Sequence, residues 1–170
     1  RTDYAGMGTT VVAVQLTGAV LSIAHVGDSR LYLIRDGAVQ LLTVDHSLVQ
    51  EQVQSGLLAA ADMARVPHRH VLTRAVGVHP LVDVALGEMA VLPGDILLLC
   101  SDGLTAGVSA DVILRVTQES ADPQAMADRL IALSNAAGGT DNATVIVALV
   151  TQRSTSLWTR IYTQLGSPPA

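Results

Sequence analysis

A chain of 170 residues is the right length for a single domain. It is 49% hydrophobic and 15% charged, with a mean hydropathy of +0.42. Its longest apolar runs, residues 96–100 and 145–150, still have strand length, well short of the roughly 18 residues of a membrane span. A formal net charge of −5 without a cluster of Lys or Arg argues against nucleic acid as a ligand and suits the binding of cations. There is no Phe, so a core must be built from Val, Leu, Ile and Ala. The single Cys100 sits inside an apolar run and reads as a small buried hydrophobe, which fits a reducing compartment and a cytoplasmic location. No leader peptide is visible, and the chain opens on Arg1 and enters a strand pattern almost at once, so a preceding segment is expected.

Residues 9–16 are β-branched and apolar and predict a strand. Thr17-Gly18 turns the chain into a second strand at 20–25, and Gly27-Asp28-Ser29 turns it into a third at 31–34. Asp36-Gly37 is a hairpin signature leading to a fourth strand at 39–43. With such short connections the four strands read as one antiparallel meander. Asp45 or Ser47 caps a helix over 48–56. Residues 57–74 are irregular and hold Pro67, three arginines and His68 and His70, the composition of a flap. Strands are expected at 82–92 and 96–100, with Pro93-Gly94-Asp95 as the turn between them. Ser109 caps a helix to residue 119, and Asp122-Pro123 opens another that Gly138-Gly139 ends. A fully apolar strand over 143–150 follows. In the tail, Leu157, Trp158, Ile161, Tyr162 and Leu165 fall at helical spacing, which predicts a short amphipathic helix packed on the domain rather than on a membrane. The element order gives an α+β fold with antiparallel sheets, residues 1–152 forming the domain and 153–170 the tail.

Three aspartates lie in turn-forming stretches at the ends of the most apolar strands: Asp28 in Gly27-Asp28-Ser29, Asp102 in Ser101-Asp102-Gly103, and Asp141 in Thr140-Asp141-Asn142. Any one of them is explained by turn chemistry alone. Three carboxylates brought together would repel one another unless a cation lay between them, and a divalent metal with oxygen ligands is the simplest such cation. The pair His68 and His70 lacks the Cys or acidic partners of a zinc site. Cys100 has no Arg shortly after it to make a phosphate loop, Gly27-Asp28-Ser29-Arg30-Leu31 lacks the second Gly of a nucleophile elbow, and there is no Gly-Lys-Ser/Thr phosphate loop.

Several ordered words of the chain carry a family likeness. They are Gly6-Met7-Gly8-Thr9-Thr10; His25-Val26-Gly27-Asp28-Ser29-Arg30 with Tyr32, Arg35 and Asp36-Gly37; Asp45-His46-Ser47-Leu48-Val49; Val71-Leu72-Thr73-Arg74-Ala75-Val76-Gly77; Cys100-Ser101-Asp102-Gly103-Leu104-Thr105; and Gly139-Thr140-Asp141-Asn142-Ala143-Thr144-Val145. Taken together they resemble the bacterial metal-dependent Ser/Thr protein phosphatases of type 2C. The resemblance implies an antiparallel β-sandwich flanked by helices in four layers, α-β-β-α. It also implies Mn²⁺ or Mg²⁺, two ions and in bacterial relatives a third. By carry-over Asp102 and Asp141 are ligands of the catalytic pair, and Asp28 with Asp102 contributes to the third site. The implied activity is hydrolysis of phosphoserine and phosphothreonine by a metal-activated water. The implied partners are phosphorylated proteins within a cognate Ser/Thr kinase circuit.

The chain also departs from the family. An Arg…Asn-Glu-Asp element and an Asp-Gly-Met-Gly-Gly element, the second supplying the carboxylate that bridges both metals, are absent from these 170 residues. The expectation is therefore a partial catalytic domain whose N-terminal strands are missing, inactive without the segment that bears those elements. Two other readings stay open: a phosphatase-like binding module without activity, and a β-rich scaffold whose aspartates only make turns. His46, His68, His70 and Arg74 are assigned to the flap or to substrate, and His46 in particular to capping the next helix or orienting the flap.

Overall fold

The computed structural model describes residues 6–151 except Arg69. In chain order its elements are β1 Val11–Thr17, β2 Val20–Val26, β3 Arg30–Arg35, β4 Ala38–Leu41, α1 Leu48–Gln54, a 3-10 helix Ala60–Arg65, β5 Ala85–Ala90, β6 Ile96–Cys100, α2 Asp102–Gly107, α3 Ala110–Glu119, α4 Pro123–Ala136 and β7 Val145–Leu149. The expected tail helix over 153–170 lies outside the described residues.

Two antiparallel sheets form, one of three strands in the order β1-β2-β5 and one of four in the order β4-β3-β6-β7. The fold is α+β, as the element order predicts. The single meander is corrected: β2 does not pair with β3. The chain makes two hairpins, β1–β2 and β3–β4, and places one in each sheet. The crossing falls at Gly27, whose φ of +101° sends the chain out of the first sheet instead of back along it. A short Gly-Asp-Ser link therefore looks like a hairpin turn in sequence but is a corner between layers. Asp36-Gly37 does close a hairpin, with φ of 51° and 75° at its two residues, the pattern of a tight turn matched to strand twist.

Alternation along β3 and β6 makes the larger sheet two-faced. Leu31, Leu33, Leu97 and Leu99 face the smaller sheet and meet Leu21, Ile23, Val91 and Val150 there. Tyr32, Ile34, Leu98 and Cys100 face the other way, onto Leu104, Val108, Ile113, Val116, Met126 and Leu130 of the α2–α4 region. Both faces of β3 and β6 are thus covered, which explains why these strands read as continuous apolar runs. β7 is different. Ile146 pairs with Leu99 and so belongs to the sandwich face, yet it is 58% exposed, because β7 is an edge strand that the smaller sheet does not reach across. Its apolar sequence is not matched by full burial.

Helix starts follow their caps. Ser47 Oγ accepts from the Gln50 amide, Ser109 Oγ from Val112, and an Asp122 carboxylate oxygen from Gln124, with Pro123 in the first turn of α4. Asp45 is not the cap of α1. Helix α2 stands where Ser101-Asp102-Gly103 reads as a turn-forming stretch. Its two glycines argue against a helix, but they permit close packing. Gly103 lies so tight against the Asn142 carbonyl that a Cβ there would collide with backbone, and Ser134 Oγ donates to the Gly103 carbonyl at 3.0 Å. Tertiary contact holds the helix where local propensity does not.

One ion pair ties the two sheets together. Asp95, 2% exposed in its side chain, accepts from Arg35 Nε at 2.8 Å and Nη2 at 2.6 Å and from the Leu92 amide at 2.7 Å. The same guanidinium donates to the Ala90 carbonyl at the end of β5. This pairing holds Asp95 below the usual carboxylate range, chiefly through its hydrogen bonds to Arg35.

Candidate functional site

Three turns meet at one end of the four-stranded sheet. Arg30 pairs with Cys100 and Cys100 with Val145. Beyond those pairs Asp28 lies two residues before β3 begins, Asp102 two residues after β6 ends, and Asp141 four residues before β7 begins. Antiparallel register brings the start of one strand beside the end of its neighbour, so residues far apart in sequence arrive at one rim.

Ser101 fastens two of the turns. Its Oγ donates to the Asn142 carbonyl at 3.2 Å and accepts from the Thr144 amide at 3.0 Å, and its backbone amide donates to the Thr144 carbonyl at 3.1 Å. The start of α2 at Asp102 is therefore stitched to the segment that follows Asp141, at Asn142 and at Thr144. Asp141 folds one carboxylate oxygen onto the Asn142 amide at 2.7 Å and is exposed. Asp28 and Asp102 are half-buried. Burial and then the Asp102 carboxylate push the Asp28 carboxyl above its ordinary range, with Asp45 adding to the effect. Burial is the larger cause and the Asp102 charge the second, and a cation beside Asp28 would offset both.

Two residues of this rim were not legible as site residues. Asp45 takes a bidentate grip from Arg30, Nε to Oδ1 at 2.9 Å and Nη2 to Oδ2 at 2.7 Å, and Arg30 also reaches the Tyr32 hydroxyl at 3.3 Å. The hydrogen bond to Asp45 raises the already basic guanidinium further, so Arg30 is a fixed positive charge beside the carboxylates. Thr10 bonds the Ser29 hydroxyl at 2.9 Å, and its side chain fills the space a Cβ on Gly27 would need. Nothing in local sequence links residue 30 to 45 or 10 to 29; only the crossing at Gly27 does.

The flap candidates divide. His46 is 8% exposed and stacks on His25, with ring centroids 4.6 Å apart and planes 16° from parallel. It neither caps α1 nor lies in the flap; its imidazole serves the Gly27 turn, accepting at Nδ1 from the Gly27 amide at 3.1 Å. Its backbone does hold the flap: its carbonyl accepts from the Thr73 amide at 2.9 Å, and the Leu48 amide donates to the Val71 carbonyl at 2.9 Å. His68 is exposed and its Nε2 lies 3.4 Å from Gln52 Oε1 on α1, and His70 is exposed as well. Arg74 pairs with Asp83 at 3.0 Å.

Whether these residues suit a hard divalent cation turns on their donors. Asp28, Asp102 and Asp141 offer carboxylate oxygens alone, the donor class that Mn²⁺ and Mg²⁺ take. Among the described residues no three His, Cys, Asp or Glu side chains converge closely enough to hold an ion by themselves. The donor set is thus of the right kind and partial.

Comparison with known proteins bears on the fold and on the sequence as a whole. A family model described as Protein phosphatase 2C matches residues 2–53. A putative protein phosphatase 2C-type of Streptococcus pyogenes is 41% identical over 143 residues, which cover 84% of this chain and 58% of that protein. The crystal structure of the Mycobacterium tuberculosis serine/threonine phosphatase PstP/Ppp superposes with a TM-score of 0.84 at 38% identity, covering 89% of this chain and 63% of that one. The catalytic domain of serine/threonine protein phosphatase PstP in complex with 2 manganese ions gives a TM-score of 0.78 at 38% identity over 89% of this chain and 62% of that one. The chain thus spans about three fifths of the length of these relatives. In fold and in sequence the chain is thus similar, over most of its own length, to phosphatases of the protein phosphatase 2C family.

Proposed function

We propose that this chain is the larger part of a metal-dependent phosphatase domain, residues 1–152, that removes phosphate from phosphoserine and phosphothreonine in proteins, with 153–170 as its tail. The observation that carries the proposal is the rim itself. Asp28 and Asp102 repel one another, and Ser101 stitches the Asp102 turn to the Asp141 turn. A fold that spends burial and hydrogen bonds to gather carboxylates has a use for a cation there.

Asp102 and Asp141 are proposed as donors to a catalytic pair of Mn²⁺ or Mg²⁺ ions and Asp28, with Asp102, as donor to a third. Bound divalent cations would supply charge neutralisation for the phosphoryl oxygens and a lowered pKa for water. The protein's own residues have separate tasks. Ser101 fixes the spacing of two donor turns. The Arg30–Asp45 pair fixes Arg30 beside Asp28 while Asp45 adds negative charge to the rim, and the 71–74 segment, tied to His46 and Leu48, borders the approach. Phosphorylated proteins are the proposed substrates, within the circuit of a Ser/Thr kinase. A cytoplasmic setting accords with the buried free thiol of Cys100, and no helix among the described residues is long and apolar enough to cross a membrane.

Full activity needs donors that residues 1–170 do not supply, the bridging carboxylate above all. The 170-residue chain is therefore expected to bind Mn²⁺ weakly and to hydrolyse a small aryl phosphate little or not at all. A polypeptide that also carries the Asp-Gly-Met-Gly-Gly element is expected to do so in a Mn²⁺-dependent way that Asp102→Asn abolishes. Hydrolysis indifferent both to metal and to Asp102→Asn would refute the proposal. Mn²⁺ binding without hydrolysis in the longer polypeptide would instead favour the binding-module reading.

A further inference from the structure

We infer that His46 is a positioning residue for the Asp28 turn, acting through Nδ1 as a hydrogen-bond acceptor; the inference rests on the assignment of Asp28 to a cation. Gly27, the residue before Asp28, has both of its backbone polar groups committed to His46. Its amide donates to Nδ1 at 3.1 Å, and its carbonyl accepts from the His46 amide at 2.9 Å. An amide can only donate, so Nδ1 must present a lone pair, and the neutral ring keeps its proton on Nε2. A doubly protonated ring would set one N–H against another.

The surroundings keep the ring in that state. His25 stacks against it and turns its own Nε2 to the Val44 carbonyl at 2.9 Å, so His25 donates there. Burial first, then His25 and then Arg74, push His46 below the usual imidazole range, against smaller opposing effects of Asp83 and Asp45.

The turn needs such an outside support. Gly27 sits at a φ of +101° and has no side chain with which to anchor itself. What holds it is external: the Thr10 side chain beneath it, the Thr10–Ser29 hydroxyl bond beside it, and His46 across it. The same His46 accepts from Thr73 through its carbonyl, so one residue joins the base of the 71–73 segment to the turn that carries Asp28. Loss of the ring would free the Gly27 amide in a buried place and let Asp28 drift from Asp102.

The test uses the 170-residue chain, ¹⁵N-labelled, with Mn²⁺ alone as the probe. In the wild type the His46 ring nitrogens are expected to report a bare Nδ1 and a protonated Nε2, the Gly27 amide to be protected from solvent exchange, and Mn²⁺ to broaden the amide signals of Asp28 and Asp102. His46→Ala is expected to speed exchange of the Gly27 amide roughly fivefold or more, the worth of one hydrogen bond, and to weaken broadening at Asp28 more than at Asp141. His46→Asn places an acceptor where Nδ1 was and is expected to restore both. Should His46→Ala not fold, the wild-type ring state and the Asn variant decide. A protonated Nδ1 in the wild type overturns the inference. So does a His46→Ala protein whose Gly27 protection and Asp28 broadening are unchanged. Absence of broadening at Asp28 in a wild type with protected Gly27 overturns the cation assignment, and the inference with it; the intact Gly27 protection marks that failure as distinct from the other two.

Discussion

The two sheets share a sandwich core but not a common degree of cover. In the four-stranded sheet the central strands are sealed on both faces, with Leu98 at 0% exposure under α2–α4 and Leu31 at 0% against the other sheet. In the three-stranded sheet one face meets the core, while the other shows Leu86 at 80% exposure and Val11 at 41%. The candidate donors flank strands of the four-stranded sheet: Asp28 precedes β3 at the corner between layers, Asp102 follows β6, and the exposed Asp141 precedes the edge strand β7. Asp28 and Asp102 stand beside the sealed strands, where neighbours resist their drift.

The largest expected effect comes from breaking the sealed side. Leu98→Ala leaves a cavity between sheet and helices and is expected to cost about 2–5 kcal/mol by denaturant unfolding. A loss near that of a surface position would mean that the two sides do not differ. Next is Gly103→Ala, which sets a Cβ against the Asn142 carbonyl. Backbone must shift, at roughly 1–3 kcal/mol, and the shift separates the Asp102 turn from the Asp141 turn. Weaker Mn²⁺ binding is expected by calorimetry, beyond what the lower stability explains.

The latch between the sheets is tested by acid. The folded carboxyl of Asp95 lies below its unfolded value, so its contribution is present above the unfolded pKa and is lost as pH falls through the folded one. Asp95→Asn is expected to lower Tm at neutral pH, and the gap to wild type is expected to narrow below about pH 4. A gap constant with pH would show that the charge of Asp95 does not matter. Asp28→Asn should act in the opposite sense. Its folded carboxyl is raised, chiefly by burial and then by Asp102, so stability falls as pH rises through the folded pKa. Without metal the variant is expected to have a higher Tm than wild type at pH 7, and Mn²⁺ is expected to raise its Tm less. The smallest effect is assigned to the open face: Leu86→Ser is expected to stay within about 0.5 kcal/mol of wild type. A larger loss would show that something covers that face in solution.

What sequence alone made legible was local. Ser47, Ser109 and Asp122-Pro123 mark helix starts because a cap bonds within three residues, and Asp36-Gly37 marks a hairpin because its two residues supply the turn by themselves. The meander failed because pairing β2 with β5 or β3 with β6 is a relation across sixty residues or more, and no local pattern distinguishes a corner from a hairpin. Helix α2 was hidden by Gly103 and Gly107, which are poor helix formers and good contact surfaces. At the site, Asp28, Asp102 and Asp141 stood out as carboxylates at strand ends. Asp45, Thr10 and the use of the His46 ring did not, since each acts on a partner brought near only by the crossing at Gly27.

That crossing has a consequence for how the chain folds. The hairpins β1–β2 and β3–β4 close over a few residues and can form early. Neither sheet grows further until β5 and β6 arrive, and these two are consecutive, joined by the tight Pro93-Gly94-Asp95 turn. Delivery of that one segment adds a strand to each sheet at the same moment, after closure of the long intervening loop that contains α1 and the flap. Such non-local closure is slow, since its entropic cost precedes the contacts that offset it. The two layers therefore grow together at this step, with β7 still to join β6, and a lesion in either one delays both.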